Sequence, residues 1–430
     1  MKPSTTLPVA VIGAGPVGLA AVAHLLDRGI ESVVLERAAN VGGHLQEFGH
    51  VRLFSPWRYN LDKAMKARLL ASEWTEPDPD ELPTAGQLLD RSLRPFAALP
   101  EVAPRLRLRS RVVAITRSGL DKVKTHNRSA HPFLVRYIDD EGAHELLARA
   151  VIDVSGTWSQ PNPLGSSGIV ATGEREHHEH IFYGIPDILG IHRSRYAGKR
   201  VLVVGAGHSA ANSLLALAQL AEAHPGTRLV WAVRGQDATR AFGGGVADAL
   251  PARGQLGSAL KALRAKGGLE LVSDFHIRSI TSTRLGLSVV GSGADSSETR
   301  IDVIDEIIAA TGQRPDLSLT RELRLDLDPQ LESTTALGPL IDPNVHSCGT
   351  VRPHGHRELA HPEPGFYTAG VKSYGRAPTF LLATGFEQVR SIAAALSGDL
   401  KAADEVHLDL PETGVCSSRK APEGEAACCA

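Results

Sequence analysis

Apolar residues along this chain change their period repeatedly, and the changes mark out two copies of one local plan. Residues 7–12 are almost wholly apolar, as in a strand buried on both faces, and residues 16–28 follow with Ala and Leu at helical spacing. A second apolar run over residues 32–35 completes a strand–helix–strand unit. The plan recurs as a strand over 200–204, a helix over 209–223 and a strand over 228–233. Units of this kind predict parallel sheets. Between the copies the pattern predicts a helical stretch over 61–99 and strands over 106–116, 133–138 and 150–155. Beyond them it predicts strands over 269–273, 285–290, 306–310 and 365–369, then a helix over 379–396. Arg105, Arg107, Arg109 and Arg111 alternate with Leu106, Leu108 and Ser110, the period of a half-exposed strand, not a polybasic patch.

Both strand–helix joints carry glycines. Gly13-Ala14-Gly15-Pro16-Val17-Gly18 and Gly205-Ala206-Gly207-His208-Ser209-Ala210 each follow a strand and open a helix, the context that gives a G-x-G-x-x-G run its meaning. The first glycine permits the tight turn and the second lets backbone N–H groups approach a pyrophosphate. The third position allows close helix–sheet packing, and the helix N-terminus supplies partial positive charge. The first unit ends at Glu36, placed to accept the ribose hydroxyls of a dinucleotide. The second ends at Arg234, a guanidinium suited to a 2′-phosphate, which predicts NADPH in preference to NADH; Asp237 nearby keeps NADH open.

At 430 residues and 42 % hydrophobic content the chain has enough apolar surface for two or three domains. A formal charge of -2 gives no reason to expect nucleic acid or an anionic membrane as partner. The apolar stretch over 9–26 is interrupted by three glycines, a proline and His24, so it is read as part of the first βα unit, and the protein is expected to be cytoplasmic. Two strand-then-glycine segments, Asp153-Val154-Ser155-Gly156 and Ala309-Ala310-Thr311-Gly312, are near copies and read as crossings between nucleotide domains.

With these motifs the chain resembles the two-dinucleotide-binding-domain flavoproteins, a superfamily of flavin-containing, Baeyer–Villiger and N-hydroxylating monooxygenases and pyridine nucleotide-disulfide reductases. The resemblance covers roughly residues 7–400. It implies an α/β fold in which an FAD-binding Rossmann-like domain (1–165 and 311–400) carries an inserted NADPH-binding Rossmann-like domain (196–310), followed by a Cys-containing tail (401–430). FAD is then expected at Gly13, Gly15, Pro16, Gly18, Glu36, Gly43, Gly156, Gly312, Gly370 and Thr379, and NADPH at Gly205, Gly207, His208, Ser209, Ala210 and Arg234. The helix after Gly370 points its N-terminus at the flavin in that superfamily. Gly42-Gly43, the 155–161 stretch, and His192 with Tyr196 resemble the monooxygenase branch, although its F-x-G-x-x-x-H element is not intact around Gly190 and His192. Val371-Lys372 departs from the Asp that reductases carry after the final glycine.

Dithiol chemistry needs two neighbouring thiols, and Cys348 is alone in the body of the chain. His177, His178 and His180, like His346, Cys348, His354 and His356, lie in polar or Gly/Pro-bearing loops and are read as solvated or pocket-lining; no metal is expected. Trp57, Arg58 and Asn60 are candidates for a small-molecule pocket wall or for plain core. No catalytic acid or base stands out. The expected activity is NADPH-driven flavin reduction with oxygenation of a small substrate. A reductase of a metalloid, quinone or thiol acceptor, and a non-enzymatic metalloid binder, are the alternatives. Cys416, Cys428 and Cys429 are candidates to capture As(III) or another thiophilic species, and with the 346–355 and 374–381 stretches they resemble flavoproteins encoded beside bacterial arsenic-resistance genes. If the tail has this role, deleting residues 411–430 abolishes tight arsenite binding in an equilibrium titration and leaves FAD content intact; equal affinity of both forms reduces the tail to an appendage.

Overall fold

The computed structural model describes residues 7–243, 250–293, 295–345, 351–378 and 380–408. The chain divides into two compact units, one running to Asn162 and resuming at Gln313, the other spanning Pro163–Gly312. Thr379, His346, Cys348 and the three tail cysteines lie outside the described residues.

In the first unit five parallel strands stand in the order Phe366–Thr368, Ala150–Asp153, Val9–Ile12, Ser32–Leu35, Leu106–Arg107. The central strand is apolar on both faces because both are covered, and Val9, Ala10 and Val11 are fully buried. The helix Pro16–Asp27 places Leu19, Val22 and Leu25 in the core and packs against the helices Lys63–Leu70 and Leu382–Ser397. In the second unit the order is Glu270–Val272, Arg228–Ala232, Arg200–Val204, Glu306–Ala309, Ile181–Tyr183, again all parallel. Counted along the chain from the strand that precedes its glycine fingerprint, each unit inserts a three-stranded antiparallel sheet between its third and fourth core strands. These are Arg111–Arg117, Phe133–Asp139 and Gly142–Ala148 in the first, and His276–Thr283, Gly286–Ser292 and Glu298–Ile304 in the second.

Several sequence expectations give way to tertiary context. The strand predicted over 106–116 is two strands in two sheets. The break falls at Arg109, whose φ is 55°, where the Arg109 and Ser110 amides donate to the carbonyls of Ala38 and Glu36. The helical stretch over 61–99 is interrupted by a segment bearing Pro77, Pro79 and Pro83, which cannot continue a helix. Its pieces are separately capped: the Asp62 carboxylate accepts from the Ala64 and Met65 amides, and Thr84 and Gln87 form a reciprocal capping box. The helix predicted over 379–396 is Leu382–Ser397, with a further short helix Leu400–Asp404 after it, and the helix Pro251–Ala265 has no counterpart in the apolar pattern.

The antiparallel sheet of the first unit is tied to the main sheet by a buried triad. Glu363, fully buried, accepts from Arg117 Nε at 2.7 Å and Arg128 Nε at 3.0 Å, and the Arg117 guanidinium lies 3.7 Å from the Phe133 ring centroid. Burial pushes the Glu363 carboxyl up, but the hydrogen bonds from Arg117, the Arg324 amide and Arg128 outweigh it and hold it below its ordinary value. A carboxyl depressed in the fold stabilises it above the unfolded pKa and ceases to do so as pH falls through the folded one. Glu363→Gln leaves two buried guanidiniums without their counter-charge and is expected to cost about 3 kcal/mol in denaturant unfolding. The cost should shrink in acid below the ordinary carboxylate range; a loss under about 1 kcal/mol at neutral pH contradicts this account.

Candidate functional site

The two glycine fingerprints adopt one geometry. Gly13 and Gly205 have φ of 105° and 128°, reached freely only without a side chain. Each also faces the fourth strand's exit. A Cβ on Gly13 would lie 3.0 Å from the Val154 carbonyl oxygen, and one on Gly205 would lie 2.2 Å from that of Ala310. The hydrogen bonds match as well: Gly13 N–H donates to Leu35 and Gly205 N–H to Ala232, while the Val154 and Ala310 amides donate to Ile12 and Val204. Trp231 adds a buttress in the second unit, its indole N–H donating to the Gly205 carbonyl at 2.7 Å. The sequence marks that residue as nothing more than one position of the strand predicted over 228–233.

The middle glycines differ from the first in the one respect that matters for a ligand. Gly15 and Gly207 have extended backbone and nothing within 4 Å of an added Cβ, so space stands open beside their backbones. Neither following helix, Pro16–Asp27 nor His208–Ala223, has a side-chain cap or an acidic residue in its first turn. Their leading N–H groups and positive dipole ends therefore remain available to an anion. Gly18, by contrast, is closed, since a Cβ there would lie 2.0 Å from the Gly13 carbonyl oxygen. Ala210 fills the corresponding place in the second unit with its methyl fully buried.

At the end of the second strand Glu36 bridges two amides, accepting from Ala14 at 2.7 Å on one oxygen and from Ala38 at 2.8 Å on the other. A carboxylate has about four acceptor positions, so two remain for further donors. Arg234 is exposed and, among the described residues, makes one long contact, to the Ser166 carbonyl at 3.3 Å. The Asp237 carboxylate caps the following turn by accepting from the Thr239 amide.

Gly43 packs tightly, with an added Cβ 2.6 Å from that of Ala38, and the Gly42 amide donates to the Ala14 carbonyl, which sets this segment against the first fingerprint. Gly156 and Gly312 both have left-handed φ, 74° and 80°, after the two fourth strands. Beside them the returning chain pairs with the outgoing one within the first unit: Arg314 N–H donates to Gln160, and Arg314 Nε to Asn162 Oδ1 at 2.9 Å. Gly370, φ 67°, follows the Phe366–Thr368 strand. Trp57 is buried with its indole N–H unpaired among the described residues, Arg58 is exposed and ion-paired with Asp80, and the Asn60 amide is engaged by Ser55 and Pro56 in its own turn. The Trp57–Asn60 segment packs on the Leu382–Ser397 helix. His192 meets Phe182 edge-on with centroids 5.0 Å apart, an aromatic–histidine pair ten residues apart in sequence. Among the described residues no group of three or more His, Cys, Asp or Glu could hold a metal ion, and no helix is long and apolar enough to cross a membrane.

The NAD(P)-binding Rossmann-like domain family matches residues 11–68. The chain is 25 % identical over 248 residues to flavin-containing monooxygenase FMO GS-OX-like 2 of Arabidopsis thaliana, covering 53 % of this chain and 50 % of that protein. It is 29 % identical over 211 residues to flavin-containing monooxygenase 1 of Oryctolagus cuniculus, covering 47 % of this chain and 36 % of that one. The chain thus spans half or less of the curated relatives it matches. Among solved structures, bacillithiol disulfide reductase from Bacillus cereus superposes with a TM-score of 0.68 at 18 % identity, over 91 % of this chain and 99 % of that one. Ornithine N-hydroxylase from Kutzneria, solved with reduced FAD, NADP+ and L-ornithine, gives 0.59 at 17 % identity, over 93 % and 98 %. The fold is that of FAD-dependent oxidoreductases.

The open and closed glycines separate binding from folding. Gly15→Val is expected to fold with a stability change of about 1 kcal/mol, since its backbone is extended and its Cβ meets no protein atom, while FAD retention falls about tenfold or more. Gly18→Ala is expected to lower stability by about 2 kcal/mol through overpacking. Thermal unfolding and flavin content of the purified proteins check both, and a Gly15→Val protein with full flavin content contradicts the assignment.

Proposed function

We propose that this chain is an FAD- and NADPH-dependent oxidoreductase of monooxygenase type acting on a small molecule. The observation that carries this reading is the pair of uncapped helix N-termini beside open glycine backbones, one with Glu36 and one with Arg234 at the end of its second strand. FAD, when bound, supplies a centre that takes hydride from NADPH and delivers electrons to O2. Gly15 and the Pro16–Asp27 helix would hold its pyrophosphate and Glu36 its ribose. Gly207, Ser209 and Arg234 would hold NADPH, with the Arg234 guanidinium bonding the 2′-phosphate bidentately. Two considerations favour oxygen over a thiol acceptor: Cys348 has no partner thiol in the body of the chain, and the curated relatives that match are monooxygenases, two of them flavin-containing monooxygenases. The thiols of Cys416, Cys428 and Cys429 make a soft metalloid such as arsenite a substrate candidate within this reading.

The test follows NADPH oxidation by the flavin-loaded protein with isotopically labelled O2 over a panel of amines, sulfides, arsenite and organoarsenicals. Label in a product, in proportion to NADPH consumed, supports the proposal; acceptor reduction that proceeds without O2 and yields unlabelled product identifies a reductase instead. Arg234→Glu should shift kcat/KM from NADPH toward NADH by about tenfold or more, because it replaces the phosphate's partner with a like charge. An unchanged ratio means that the phosphate is read elsewhere.

A further inference from the structure

A lysine and an aspartate are buried together at the carboxyl ends of two neighbouring strands in the first unit. Asp153 ends Ala150–Asp153, Lys372 stands four residues beyond Phe366–Thr368, and their side chains are 1 % and 2 % exposed. The Lys372 ammonium donates to Asp153 Oδ2 at 2.7 Å and to Ser155 Oγ at 3.0 Å. The other Asp153 oxygen accepts from the Ser155 amide at 3.1 Å and hydroxyl at 2.7 Å. The main chain joins the same strands, with the Ala369 amide donating to the Asp153 carbonyl.

Stability is a poor reason for such a pair. Burying two charges costs about what their attraction returns, and a well-packed apolar pair of similar volume is commonly as stable or more so. What charges supply and hydrocarbons lack is direction. The segments joined here are two left-handed turns, one at Gly156 immediately after Ser155 and one at Gly370 two residues before Lys372. The turns adjoin, since a Cβ on Gly156 would meet Val371 Cγ1 at 3.8 Å. The second turn is gripped from its other side as well. Gln388 Oε1 accepts from the Gly370 amide at 2.8 Å, the Ser373 hydroxyl donates to the Gly370 carbonyl at 2.8 Å, and Gln388 Nε2 donates to Ser373 Oγ and His354 Nε2, each at 2.9 Å. Burial pushes His354 below its ordinary value, and the ring stays neutral with Nδ1–H on the Arg352 carbonyl and Nε2 free to accept. The amide of Gly370 is thus fixed by buried Gln388, eighteen residues on, and its carbonyl by buried Ser373 in the same turn.

We propose that Lys372 is a positioning residue for the flavin, holding the Gly156 and Gly370 turns at one fixed spacing through Asp153 and Ser155. This rests on the FAD reading of the first unit. A ligand bound by backbone turns is sensitive to their separation, because its hydrogen bonds are directional and short. Loosening the turns therefore weakens flavin binding and alters the flavin's surroundings, even where the fold survives.

The test uses the full chain stripped of flavin and titrated with FAD. Asp153→Asn combined with Lys372→Met removes both charges at nearly constant volume, and Ser155→Ala removes the hydroxyl that relays the clamp without leaving a charge unpaired. The double variant is expected to unfold within a few degrees of the wild type, to bind FAD about tenfold more weakly, and to carry flavin with a shifted visible spectrum and reduction potential. Ser155→Ala should weaken FAD about threefold with a spectral shift in the same direction, and it carries the test alone if the double variant does not fold. Wild-type FAD affinity and spectrum in the folded variants would overturn the proposal, since a merely structural pair moves unfolding and not the bound flavin. A wild-type chain that binds no FAD would overturn the reading beneath it, a result distinct from equal binding by all forms.

Discussion

A helix leaves its first backbone N–H groups without partners inside the helix, and proteins ordinarily cover them with a side-chain cap. The helices Lys63–Leu70, Ala85–Leu88 and Leu400–Asp404 do so with Asp62, Thr84 and Asp399. Pro16–Asp27 and His208–Ala223 do not, and neither do Pro251–Ala265 and Leu382–Ser397; what sets the first two apart is that each begins at a glycine with open space beside it. Keeping those two donor sets uncovered governs much of the surrounding structure. The preceding glycine must turn with positive φ against the fourth strand, so that strand must leave the sheet at Val154 or Ala310 with its own backbone close by. Close approach in turn requires a small third residue, Gly18 or Ala210, and a sheet whose central strand is buried on both faces.

The same constraint acts twice, and the two units diverge where chemistry does. Their sheets share a strand order and an antiparallel insertion, but the edge strand beside the fourth comes late in the chain in one, Phe366–Thr368, and early in the other, Ile181–Tyr183. Glu36 is locked by two amides, whereas Arg234 is exposed with one long contact. A fixed acceptor pair suits neutral hydroxyls; a reachable guanidinium suits a phosphate. The first unit alone carries the Lys372, Asp153 and Gln388 network, which orders its final glycine turn as the capping groups order ordinary helices.

The βα units, both fingerprints and the ends of their second strands were legible in the sequence because each is local: periodicity, glycine spacing and a polar residue at a fixed offset lie within about thirty residues. What was not legible depends on partners far away. The split at Arg109 follows from bonds to Ala38 and Glu36, which turn a continuous alternating pattern into two strands. Trp231 is one position of the strand predicted over 228–233, and its bond to Gly205 exists only once the strands are paired. Lys372 was visible merely as a departure from an expected Asp; its partner, Asp153, is 219 residues away. Phe182 is not marked in the sequence because a loop separates it from His192, which its ring meets edge-on.

The account stands on two separate dinucleotide sites in one chain, and a stoichiometric measurement reaches that claim without knowledge of the substrate. Purified protein saturated with FAD is titrated with NADP+ in a calorimeter while the flavin absorbance is followed. One equivalent of flavin retained throughout, with one equivalent of NADP+ taken up, is the predicted result. Displacement of FAD by NADP+ in equal measure, or no uptake of NADP+ by the flavin-loaded protein, would contradict it.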